Sequence, residues 1–163
     1  MKVEKNISVV NSTLLANYIL ERGGCMSHLK LQKILFYVQA FHLAYFDSEI
    51  ISDEFEAWVH GPVSRKIFNE LRDKSLIYAE LSMPDGLQIL PSVELEERVT
   101  ADQLELVNDV IDDYKDIDGG KLEAITHSEQ PWIDARKGYA PCEKCSVIIS
   151  KEAITSFYKQ YFS

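Results

Sequence analysis

The chain of 163 residues is poor in cysteine, with only Cys25, Cys142 and Cys145. So sparse and odd a set does not build a disulfide scaffold and fits a reducing compartment. Proline and glycine are also scarce, at five and seven residues, and no internal repeat or low-complexity tract occurs. No stretch approaches the roughly 18 apolar residues of a transmembrane helix. The opening MKVEKNISVV lacks the apolar run of an export signal, so the expectation is a cytoplasmic protein with no membrane partner. Basic charge is short as well, with 17 Lys and Arg against 26 Asp and Glu and a net charge of −9.

That deficit is concentrated. Residues 1–50 carry five basic and four acidic side chains, and residues 119–163 carry six and five. Residues 51–118 hold six basic against seventeen acidic, a balance of −11. Such a field repels phosphates and no basic stripe offsets it, so nucleic acid is not an expected partner and a basic protein is. Acid also keeps a protein soluble whatever its function.

What is present is a core. Apolar residues make up 46%, with eight Tyr, seven Phe and two Trp. A chain of this length buries roughly 70% of its unfolded surface, and one domain spanning 1–163 is expected. A first helix is predicted from Ser12 to Arg22, capped by Asn11 or Ser12 and ended by Gly23. A second opens at Ser27. Its Leu31, Leu35, Val38, His42 and Tyr45 form one row at helical spacing and Leu29, Phe36 and Leu43 another, with Ile34 and Phe41 between them. A helix apolar on so much of its circumference is covered from several sides and is expected at the centre.

Phe55, Ala57 and Val59 alternate with mainly polar neighbours, a short strand pattern halted by Gly61-Pro62. Pro62 suits the first position of a helix carrying Val63, Ile67, Phe68 and Leu71. Two apolar runs around Pro84-Asp85-Gly86, between Leu76 and Leu90, suggest a hairpin. Residues 91–99 are expected to form a connection. Thr100 with Gln103 makes a capping box. The helix that follows turns Leu104, Val107, Ile111 and Tyr114 inward and Glu105, Asp109, Asp112, Asp113 and Asp116 to solvent. Asp118 caps a shorter helix to about His127, Pro131 starts another turn, and Ser150 opens the last helix. The fold class is therefore mainly α (α+β): a compact helical domain around a central buried helix, with a small β-hairpin or short antiparallel sheet.

Candidate chemistry is thin. Cys142-x-x-Cys145 with Cys25 and His28 could supply three thiolates and an imidazole to zinc, but only if folding joins segments more than a hundred residues apart. The expectation is that they stay apart and no metal binds. The histidines are scattered, and no GxSxG, HExxH, GxGxxG or P-loop spacing occurs, so neither catalysis nor a cofactor is expected. His42, on the core row, reads as a hydrogen-bonded interior residue. His60, before Gly61-Pro62, stands where a helix N-terminus could hold an anion.

Four segments carry a resemblance. Residues 28–44, HLKLQKILFYVQAFHLA, are similar to the "KLQKLLYYAQAWHLA" helix of the Panacea domain, the SocA-like antitoxin family. Residues 57–63, AWVHGPV, resemble that family's "AW.YGPV" element, about twenty residues after the helix as expected. Residues 127–132, HSEQPW, resemble its "LSH…PPW" segment, and residues 148–161 its closing "I….I..YY" helix. The likeness spans about Ser12 to Phe162. His60 replaces the usual Tyr, Phe41 a frequent Trp, and Gln130 the first Pro before Trp132, leaving the fold intact and partner choice open. No helix-turn-helix is appended. The resemblance implies an antitoxin that neutralises an unrelated toxin by direct binding, or, in one branch, an adaptor delivering the toxin to an AAA+ protease. The expected partner is a toxin with a basic active-site surface, and a homodimer is compatible with the reading. The alternative from another class is a small metal-dependent enzyme or regulator using His60 or the cysteines. Trp58, His60, Gly61 and Pro62, at the expected strand-to-helix junction, are the toxin-binding candidates, joined by Trp132 and by Lys30, Lys33 and Tyr37 of the central helix.

Overall fold

The computed structural model describes residues 8–72 and 80–162. Among these, eight α-helices surround two two-stranded antiparallel sheets. The helices are α1 (Ser12–Gly23), α2 (His28–Phe46), α3 (Arg65–Leu71), α4 (Pro91–Arg98), α5 (Ala101–Tyr114), α6 (Gly119–His127), α7 (Gln130–Ala135) and α8 (Lys151–Tyr158). The strands are β1 (Met26–Ser27), β2 (Phe55–Trp58), β3 (Gly61–Ser64) and β4 (Glu80–Leu81). A 3₁₀ turn, Lys159–Phe162, continues α8.

The helix expected from Ser27 onward is α2, and it is the centre. Ser27 stays extended and its hydroxyl accepts the Lys30 amide, a serine N-cap. Residues 31–40 are buried without interruption, with Leu31, Ile34, Leu35 and Val38 at 0% exposure. α1, α5, α6, α8 and β3 pack around it.

Enclosure of residues 31–40 makes each polar side chain there a problem, solved by bonding a different loop or element. His28, at the start of α2, instead keeps a buried Nδ1 with no hydrogen-bond partner among the described residues. Gln32 donates to the Ser64 carbonyl (3.2 Å) and accepts the Ser64 amide (2.9 Å), tying β3 to α2. Gln39 accepts from the amides of Ile50 and Ile51 and donates to the Ile51 carbonyl, holding the loop after α2. His42 bonds the Ser48 carbonyl through Nδ1 and the Gln103 amide nitrogen through Nε2. A neutral ring protonated at Nδ1 satisfies both bonds, and burial lowers its pKa accordingly. Gln103 is the capping-box residue of α5, whose side chain also accepts the Thr100 amide.

Three expectations need correction. Gly61-Pro62 does not start a helix: residues 61–64 form β3, paired with β2 in the register Trp58↔Gly61, Ala57↔Pro62 and Phe55↔Ser64. The Ala57 amide donates away from β3, to the Val147 carbonyl, so the missing N–H of Pro62 faces no acceptor across the ladder. The helix begins three residues later, capped by Ser64. Residues 91–99 are not a connection either. Pro91 opens α4, Leu95 is fully buried, and the Glu21 carboxylate of α1 accepts the Ser92 amide and hydroxyl at its start. The hairpin around Pro84-Asp85-Gly86 falls partly on residues 76–79, outside the described residues. Beyond the turn no strand forms, and Leu81 pairs with Met26 instead.

Two substitutions separate the apolar and polar contributions of α2. Leu35→Ala is expected to cost about 2–5 kcal/mol through the cavity it leaves. Gln39→Leu is more apolar, yet it strands two amides and a carbonyl at residues 50 and 51, themselves 0% exposed. At about 1–3 kcal/mol for each stranded group, it should destabilise at least as much. Urea midpoints decide it, and an unchanged midpoint for Gln39→Leu would show that the loop is held by packing alone.

Candidate functional site

The β2–β3 hairpin closes through Val59 and His60 and is fastened from both sides. From beneath, Lys33 of α2 donates its ammonium to the His60 carbonyl. Gly61 lets it arrive: a Cβ there would lie 2.6 Å from Lys33 Nζ and 3.1 Å from Thr126 Oγ1, at a φ of +122° that side chains avoid. From above, Trp132 Nε1 donates to the Trp58 carbonyl (2.9 Å), and Arg136 donates to the Ala57 carbonyl (2.8 Å) and to the carbonyls of Ala140 and Glu143. Trp132 lies between the His127 ring, stacked at 4.1 Å, and the Arg136 guanidinium at 5.2 Å. His60 Nδ1 meets the Glu123 carboxylate at 2.9 Å, and its side chain remains 42% exposed.

The sequence candidates therefore separate. Trp58, His60, Gly61, Pro62, Lys33 and Trp132 converge on the hairpin, but not all at its surface. Lys33 is 0% exposed, and Gly61 and Pro62 are buried. Tyr37 is also 0% exposed, with its hydroxyl donating to the Glu129 carboxylate and its ring stacked on Tyr114 at 4.4 Å. Lys33 and Tyr37 thus do not form a contact surface, a correction that follows from the enclosure of α2. Lys30 is elsewhere: it donates to the Lys115 carbonyl at the end of α5, where a cation suits the helix dipole. Trp58 is half-buried, edge-on to Phe68 (4.9 Å), beneath the Arg65 guanidinium (5.3 Å) and donating to Glu56 (3.0 Å). Its ring packs on α3.

Sequence reasoning missed Glu123, Glu129 and Arg136, which hold the hairpin and α2 from α6 and α7. The signal was a lysine on the row Leu29, Lys33, Tyr37 and Phe41 of a helix otherwise enclosed. It missed a second surface too. Glu105, Asp109, Asp112 and Asp116 are exposed as expected, but Asp102, Glu105, Asp109 and Asp113 stand along a groove of about 560 Å³ floored by Phe41, Leu106, Val110 and Tyr114. Tyr45, Tyr161 and Phe162 complete it. Among the described residues no three His, Cys, Asp or Glu side chains gather as a metal site, so Cys25, His28, Cys142 and Cys145 do not converge. Cys145 is buried, and Cys25 and Cys142 are exposed.

Burial drives the Lys33 ammonium down to about 8, against the pull of Glu123. An unfolded lysine keeps its proton to 10.5, so across pH 8 to 10.5 the unfolded chain binds more protons and stability rises with pH. The buried charge costs on the order of 3 kcal/mol below pH 8, a cost lost as pH climbs through this window. Melting curves should show this rise for wild type relative to Lys33→Met, a subtraction that cancels the opposing contribution of the buried tyrosines. Gly61→Ala should destabilise by about 1–3 kcal/mol through strained backbone alone. Parallel pH curves for wild type and Lys33→Met would mean that Lys33 is not enclosed.

The family described as antitoxin SocA-like, Panacea domain, matches residues 31–133. The match takes in most of α2, the β2–β3 hairpin and α3 to α6, and leaves α1 and the closing helix α8 outside it. Among curated proteins nothing matches, nor among solved structures. With more than half of its residues matched, including the helix and the hairpin whose fastening was just described, the chain belongs to the SocA-like antitoxin family as a Panacea domain.

Proposed function

We propose that this chain is the antitoxin of a toxin–antitoxin pair and neutralises its toxin by direct protein–protein binding in the cytoplasm, without catalysis of its own. The family match over residues 31–133 carries the reading. Two physical features support it. The hairpin tip is a rigid loop, pinned through the backbone carbonyls of residues 57, 58 and 60, while His60 and part of Trp58 remain open to solvent. Rigid aromatic and imidazole groups lose little entropy on binding. The acid of residues 51–118 suits a toxin whose substrate site is basic. In this reading Trp58, His60 and Trp132, each partly exposed, are the candidates for contact, and Lys33, Gly61 and Pro62 set the shape beneath them. No helix of the described residues is long and apolar enough to cross a membrane.

Co-expression with the toxic product of the adjacent reading frame tests this. Wild type should restore growth and co-purify with the toxin. His60→Ala and Trp58→Ala, with melting of His60→Ala unchanged, should weaken both. A wild-type chain that neither rescues growth nor binds would sink the antitoxin reading, and variants that rescue fully would acquit the hairpin tip. Toxin that disappears from the cell without co-purifying would instead mark delivery to a protease.

A further inference from the structure

We infer that the groove between α2, α5 and the closing 3₁₀ turn docks a basic amphipathic helix of the partner, an inference that rests on the antitoxin reading and names the chemistry of its ligand. The groove has an apolar bed and one sign of charge. Tyr45, Tyr161 and Phe162 are 57%, 55% and 45% exposed, so three large apolar side chains meet solvent at one place. Clusters of this kind on otherwise polar surfaces mark interaction sites.

The rim decides the occupant. Asp102, Glu105, Asp109 and Asp113 follow one another by three or four residues along α5, and no Lys or Arg lines the groove. None of the four has an ion-pair partner among the described residues. Two neighbouring acids are paired instead: Asp112, on the same helix, meets Arg22 and Lys115, and Asp47 meets Lys159. Like charges one turn apart repel, and a cationic ligand relieves that repulsion. Carboxylates at residues 105, 109 and 113 recur about every 6 Å along the axis, the spacing of Lys or Arg placed one turn apart on a facing helix. The aliphatic stems of those side chains would lie over the Tyr45 and Tyr161 rings, with apolar residues between them entering the bed. A second copy of this chain would bring acid against acid, and nucleic acid would bring phosphate.

The test uses the full chain and a fluorescent synthetic peptide with Leu and Lys at amphipathic helical spacing, beside a Leu and Glu counterpart. Three proteins are compared by anisotropy. They are wild type, a groove variant carrying Glu105→Gln, Asp109→Asn and Asp113→Asn, and a control with the same charge loss elsewhere, Asp85→Asn, Glu97→Gln and Asp116→Asn. Wild type should bind the Lys peptide and not the Glu peptide, more weakly as salt rises. The groove variant should lose at least about tenfold in affinity and the control no more than about twofold. Tyr45→Ala, which leaves every charge in place, should also weaken binding. No binding by wild type, or equal losses in groove variant and control, would overturn the groove. In the growth assay, a groove variant that rescues as well as a rescuing wild type would overturn it too. A wild type that binds the Lys peptide through the groove but rescues nothing would fault the antitoxin reading and not the groove.

Discussion

The structure depends on the enclosure of α2. A helix buried without interruption over residues 31–40 must satisfy the polar side chains of that stretch inside the protein, because a buried group left without a partner costs more than the bond would have gained. Gln32, Lys33, Tyr37, Gln39 and His42 each reach a different segment, and those segments are the β3 strand, the hairpin turn, the α6–α7 junction, the loop after α2 and the start of α5. The polar groups of one helix therefore fix the positions of elements far apart in the chain. Apolar packing supplies stability around the same helix, but leucine against leucine has no register, and these bonds do.

The most demanding of these bonds are ionic. Lys33 loses its water and faces a carbonyl, with Glu123 as its charge partner. Glu129, buried, is raised in pKa by that burial, while the Tyr37 hydroxyl pulls the other way. Both groups lie against the hairpin or the α6–α7 junction, so the half-exposed hairpin tip is backed by buried ionisable groups. Strain of this kind is tolerated where shape must be held.

Much of this was legible in the sequence. Helix α2, its serine cap, the Thr100–Gln103 capping box, the Asp118 cap and the outward acids of α5 follow from periodicity and cap chemistry. What was not legible depended on partners distant in sequence. Gly61-Pro62 reads locally as a break, and becomes a strand because Phe55–Trp58 pairs with it while Pro62 faces away from the ladder bonds. Residues 91–99 read as a connection, yet Leu95 and a borrowed cap from Glu21 make 91–98 a helix. Lys33 and Tyr37 look available because nothing local shows what covers them. The acids of α5 were rightly placed outside, but a solvated face and a groove wall have the same periodicity. Only the arrival of Tyr161 and Phe162 from the turn after α8 distinguishes them.

The placement of the tryptophans has a spectroscopic consequence. The chain has two, Trp58 and Trp132, joined through the indole N–H of one and the carbonyl of the other, and each lies under an arginine. The groove holds tyrosines and phenylalanines but no indole. Emission excited at the red edge of the absorption band thus originates wholly at the hairpin. A ligand seated in the groove touches tyrosines directly and no indole, while the stack of Tyr114 on Tyr37 and the Glu129 carboxylate beside it run from the groove into the interior.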